Sequence, residues 1–124
     1  MAAASLSKSE RLCGKKPVAE LLDRGKGGVC GCLRYRYLVR EGDALAPPLS
    51  RILVSVPKRH FKRAVKRNLL KRRIRESYRL QKGLLPAGVD LMLVYLPDEV
   101  LPFADIYAAM TSVLTGIAAR CETL

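Results

Sequence analysis

The sequence predicts one α+β domain, with helices packed against a single small sheet. Three observations predict it. Residues 33–39 and 51–56 alternate along the chain with the period of a half-buried strand. Residues 89–96 are almost continuously apolar, as a central strand covered on both faces is. Phe103, Ile106, Met110, Val113, Leu114 and Ile117 recur at helical spacing. At 124 residues, 49 % of them hydrophobic, the chain is long enough for one modest core and too apolar for a disordered tail.

The elements follow in order. Residues 1–8, small and polar, read as a flexible N-terminus ahead of a single domain over 9–124. Pro17 to Gly25 reads as a short helix: Pro17 suits a first turn, Val18, Leu21 and Leu22 share a face, and Gly25 can close the end. Residues 25–28, Gly-Lys-Gly-Gly, lack the spacing of a phosphate-binding loop and read as a flexible turn. The first strand places Leu33, Tyr35, Tyr37 and Val39 on one face. Residues 41–50, with Gly42 and the Pro47-Pro48 pair, read as a loop. Ile52, Val54 and Val56 then alternate with Arg51, Leu53 and Ser55 until Pro57 ends the strand. The closing helix carries Asp105 near its start and Arg120 near its end, the signs its dipole favours.

Cys13, Cys30, Cys32 and Cys121 show neither zinc spacing nor a disulfide framework, so reduced thiols are expected, as in a cytoplasmic protein. The opening MAAASLSKSE lacks the apolar core of a secretory signal. The longest apolar stretch, residues 91–97, is too short to span a bilayer. A cytoplasmic protein without a membrane partner is expected.

Net charge is +12, from 23 Lys and Arg against 11 Asp and Glu. Residues 58–82, KRHFKRAVKRNLLKRRIRESYRLQK, hold 12 basic residues and one acidic, Glu76, or +11; the remainder holds 11 against 10, or +1. Nearly all the excess is therefore one local feature, and a local field of that kind suits a polyanion. From 62 to 81 no Gly or Pro interrupts, and most residues favour a helix. Wound as a helix, Arg67, Lys71, Arg75 and Arg79 form an i, i+4 ladder with Asn68 and Arg72 alongside. Leu70, Ile74 and Tyr78 form an adjacent apolar ladder that can dock on the sheet. Each like-charged i, i+4 pair destabilises an isolated helix by roughly 0.2–0.5 kcal/mol. The row makes sense when an external polyanion neutralises it. Arg grips phosphate with two parallel hydrogen bonds, and Asn68 can reach a base edge or a sugar. A membrane surface is the poorer partner, because the apolar stripe is narrow and the core needs it. Charge alone does not separate DNA from RNA.

A protein nuclease would need a His acid/base pair or clustered carboxylates for Mg²⁺. This chain has one histidine, His60, inside the basic run, and one adjacent acidic pair, Asp98-Glu99, following a strand. Neither makes an active site.

Phe61, Ala64, Arg67, Asn68, Leu70, Lys71, Arg72 and Arg75 stand at the fixed positions of a signature. By it the chain resembles the protein subunit of bacterial ribonuclease P. The order of the flanking elements and the total length agree, so the resemblance spans nearly the whole chain. It implies a two-layer αβββαβα sandwich, similar to a ribosomal-protein RNA-binding domain, with a left-handed crossover carrying the basic helix. A fourth strand is then needed, near Val29 or within 41–50. The resemblance also implies a partner, the catalytic RNA, and an activity, removal of 5′ leaders from precursor tRNA. The RNA and its Mg²⁺ carry the chemistry, and the protein is a monomer outside the complex. Arg67, Asn68, Lys71, Arg72 and Arg75 would contact the catalytic RNA, with Lys58, Arg59, Lys62, Arg63 and Lys66 extending the patch. Val18, Leu22, Arg36 and Tyr37, or Tyr35 in place of Tyr37, would line a cleft for the single-stranded leader, with core packing the alternative role for Val18 and Leu22. Two departures stand out: Val18 and Leu22 occupy positions where many members carry Phe, and the Lys58-Arg59-His60 run is one residue longer than usual. The alternative reading is a ribosomal or other structural RNA-binding protein with no part in tRNA processing.

Overall fold

The computed structural model describes residue 12 and residues 15–39, 50–86 and 88–122. The expectations for residues 1–8, Cys13 and 41–49 lie outside the described residues. The elements run α1 (Lys15–Arg24), β1 (Lys26–Cys30), β2 (Leu33–Val39), β3 (Arg51–Ser55), α2 (Ala64–Gln81), a 3₁₀ turn (Lys82–Leu84), β4 (Val89–Tyr95) and α3 (Phe103–Glu122). This is the αβββαβα order. The strands lie side by side as β1-β2-β4-β3. β2 is antiparallel to β1 and to β4, whereas β3 and β4 run parallel. Parallel neighbours need a crossover connection, and here α2 makes it.

The fourth strand is β1, near Val29, and it takes up most of the glycine stretch expected to be a flexible turn. The reason is a close approach. A Cβ on Gly27 would stand 2.7 Å from the Tyr35 carbonyl oxygen, and one on Gly28 would stand 2.8 Å from the Tyr35 hydroxyl. The glycines let this edge strand lie flat against β2, with Gly28 opposite Tyr35. Gly31, at φ +57°, then turns the chain back within two residues, Cys30 pairing with Leu33.

Strand alternation sorts the sheet into two faces. Leu33, Tyr35 and Tyr37 of β2, Ile52 and Val54 of β3, and Leu91, Leu93 and Tyr95 of β4 are all buried. They pack in one cluster with Leu70, Ile74 and Tyr78 of α2 and Ile106, Met110, Val113, Leu114 and Ile117 of α3. On α1, Leu21 is fully buried. The opposite sheet face is only partly covered, so Met92 and Val94 of β4 are half-buried. The apolar run 89–96 thus marks a central strand, but one whose second face stays open. At one end of that face Arg51 grips Asp90 with two hydrogen bonds, Nε to Oδ1 at 2.9 Å and Nη2 to Oδ2 at 2.8 Å. Asp90 is 2 % exposed, and the bidentate partner offsets the cost of burying its charge. No helix among the described residues is long and apolar enough to cross a membrane.

Candidate nucleic-acid interface

Helix α2 docks through Leu70, Ile74, Ser77, Tyr78 and Gln81, all buried and spaced along one stripe. The apolar ladder expected from the sequence is therefore the docking face. Opposite and beside it, Lys66, Asn68 and Arg72 are exposed, and Arg67, Lys71 and Arg75 are half-buried. Lys58, Arg59, Lys62 and Arg63, in the segment leading into the helix, are exposed as well. Arg63 is the N-cap residue, offers no side-chain cap, and no acidic residue occupies the first turn. The positive end of the helix dipole thus adds to the cations around it.

The ladder is not uniform. Arg67 folds back, Nη1 donating to the carbonyls of Phe61 at 2.6 Å and Lys62 at 3.0 Å, so it braces the entry loop. Arg79 forms a bidentate pair with Glu76, and that pairing pulls the Glu76 carboxyl below its ordinary range. Arg73 donates to the carbonyl of Leu101 at 2.8 Å and ties α2 to the segment before α3. Lys58, Arg59, Lys62, Arg63, Lys66, Lys71 and Arg72 pair with no carboxylate among the described residues. These seven, with Asn68 and Arg75, form the outward cationic surface.

A groove of about 680 Å³ lies on the open sheet face. Leu22 of α1, 49 % exposed, forms one wall. Gly27, Gly28, Val29, Arg34, Arg36, Met92, Val94 and Leu96 contribute its floor and far edge, Tyr35 borders it although only 5 % exposed, and Arg59 comes in from the basic segment. Arg36 Nε donates to the Leu21 carbonyl at 3.0 Å, holding α1 against β2. Of the four cleft residues expected from the sequence, Leu22 and Arg36 meet here. Val18 is half-buried on α1 and does not line the groove.

Tyr37 needs correction: it is 6 % exposed and belongs to the opposite sheet face, its ring 6.3 Å from that of Tyr35. Its hydroxyl meets Arg120 of α3, whose guanidinium it helps to hold charged. Adjacent residues of a strand point to opposite faces, and Tyr37 is not among the residues that line the groove. The same alternation, followed from Arg36 by two residues, leads to Arg34, which the sequence reading missed. Met92 and Val94, missed too, stand opposite Arg36 and Arg34 in the β2–β4 register. Arg59, expected in the catalytic-RNA patch, lines the groove, so patch and groove form one continuous basic surface.

The chain matches the family model described as Ribonuclease P over residues 6–118. It is 39 % identical over 120 residues to the ribonuclease P protein component of Porphyromonas gingivalis, covering 91 % of this chain and 86 % of that one. Two solved structures share its fold. The RNase P protein from Thermotoga maritima superposes with a TM-score of 0.73 at 24 % identity, over 87 % of this chain and 97 % of that one. The Staphylococcus aureus RNase P protein gives 0.71 at 20 % identity, over 86 % and 94 %. On these likenesses the chain belongs to the ribonuclease P protein family, the RNA-binding component of the bacterial ribonucleoprotein endonuclease that acts in tRNA 5′ processing.

Proposed function

We propose that the outward face of α2 and its entry loop dock the catalytic RNA, while the groove beside α1 holds the single-stranded 5′ leader of precursor tRNA. In this reading the RNA, with Mg²⁺, breaks the bond, and the protein binds and positions. Mg²⁺ takes oxygen ligands, which RNA phosphates supply in number. The described residues of this chain bring no three His, Cys, Asp or Glu side chains together as metal ligands. His60 is engaged by its neighbour, Arg59 Nε donating to His60 Nε2 at 3.3 Å. A part in tRNA maturation would put the protein in the cytoplasm, and the thiols of Cys30 and Cys32 are free, as that compartment favours.

The observation that carries the leader assignment is the groove itself. Its floor offers apolar side chains on which bases can rest, and Arg34, Arg36 and Arg59 line it. Its α1 wall is Leu22 rather than an aromatic ring. Stacking on aromatic rings gives about 1–3 kcal/mol per base. A groove built on arginines instead grips the strand by its phosphates, so leaders of different sequence should bind alike.

The test is reconstitution with bacterial ribonuclease P RNA at low Mg²⁺. Adding the protein should raise cleavage of precursor tRNA, and leaders of different base composition should be cut at similar rates. No stimulation would contradict the reading.

A further inference from the structure

A second cavity, of about 540 Å³, opens between the loop leaving β3 and the loop leaving β4. The first loop and the start of α2 bring Lys62, Arg63 and Lys66 to it, and the second brings Asp98 and Glu99. All five side chains are exposed, yet neither carboxylate pairs with any cation among the described residues. The cavity thus presents cations on one wall and carboxylates on the other, each open to an external partner.

Both loops are held from beneath. Arg67 takes the Phe61 and Lys62 carbonyls, and Arg73 takes that of Leu101. The Tyr95 hydroxyl donates to the Glu99 carbonyl at 2.6 Å and accepts the Leu101 N–H at 3.0 Å. The Phe61 and Tyr95 rings meet at 6.0 Å. The backbone of both loops is therefore fixed by the fold, and the cavity between them with it.

A carboxylate inside a phosphate-binding surface repels the ligand that the surface attracts. It has a use where the ligand carries acceptors at one end and donors at the other. A nucleotide does: its phosphate accepts, and its base edge can donate. Carboxylate oxygens only accept, so the base must present donors. Guanine alone sets two adjacent N–H donors, at N1 and N2, on its Watson–Crick edge. Adenine and cytosine place an acceptor nitrogen beside the amino group, and uracil flanks its N–H with carbonyls.

We propose that this cavity takes an unpaired guanosine of an RNA strand, with Lys62, Arg63 and Lys66 on its phosphate and Asp98 or Glu99 on its Watson–Crick edge. The site does not depend on what the α1 groove binds.

The test is titration of the protein, by fluorescence anisotropy, with the RNA pentamers UUGUU, UUIUU and UUUUU, where I is inosine. The wild type should bind UUGUU about tenfold tighter than UUUUU. Inosine, which lacks the amino group, should fall between. The variant D98N/E99Q, two isosteric changes on exposed side chains, should lose the preference and bind UUUUU at least as well as the wild type. Three results would overturn the proposal. In one, the variant binds all three pentamers more tightly in equal measure, so the carboxylates merely repel. In another, the preference survives in the variant. In the third, the preference vanishes with EDTA, which assigns the carboxylates to a bridging cation instead.

Discussion

Arg36 on β2 hydrogen-bonds the Leu21 carbonyl on α1 at 3.0 Å, and this contact stands a helix against the open face of the sheet. The relationship defines the groove: α1 gives the wall, β2 and β4 the floor, and the guanidinium both braces and charges the angle between them. It also sets which neighbours of Arg36 can take part in binding.

Arg34 shares that face and is exposed, so Arg34→Ala should weaken holoenzyme binding of leader-bearing tRNA by about tenfold, the worth of a charge-assisted hydrogen bond. Mature tRNA should bind unchanged. Comparative affinity measurements on the two substrates check this, and equal losses would move Arg34 out of the leader site.

Tyr37→Ala should behave differently. The ring is buried among Tyr35 and the α3 face, so the loss is one of stability, about 3 kcal/mol by urea unfolding. At temperatures where the variant stays folded, its discrimination between leader-bearing and mature tRNA should match the wild type.

Arg67 and Arg72 separate structure from binding on one helix. Arg67→Ala removes the brace on the Phe61 and Lys62 carbonyls and should cost about 1–2 kcal/mol of stability. Arg72 is exposed, and Arg72→Ala should leave the urea midpoint within error while reducing the salt dependence of RNA binding by about one unit of log–log slope.

Gly28→Ala should cost about 1–3 kcal/mol, because the new methyl meets the Tyr35 ring and hydroxyl at 2.8–3.1 Å. Gly83→Ala meets nothing within 4 Å and should be neutral or stabilise by about 0.5 kcal/mol. Thermal unfolding of the two variants checks the contrast. A tolerated alanine at position 28 would mean that β1 does not lie flat on β2.

The elements that the sequence revealed are those whose pattern has one physical meaning. Leu70, Ile74 and Tyr78 at helical spacing could only be a docking stripe, and residues 33–39 and 51–55 could only be half-buried strands. β1 was hidden because Gly27 and Gly28 score as turn formers, and the need for them lies in Tyr35, a residue paired across the hairpin. The cationic surface was legible from charge. The division of labour within it was not, since a guanidinium can reach outward to phosphate or back to a carbonyl, and Arg67 and Arg73 reach back. Tyr37 misleads because the resemblance calls for an aromatic side chain beside α1, whereas strand alternation turns this ring to the buried face of the sheet. Arg34 and Met92 required the register between β2 and β4, which no local pattern carries.

The most direct measurement is the affinity of the wild-type protein for bacterial ribonuclease P RNA across a salt series. If the unpaired cations of α2 and its entry loop meet about six phosphates, log affinity should fall against log salt with a slope near −5. An affinity that barely changes with salt would contradict the assignment of that face to the RNA.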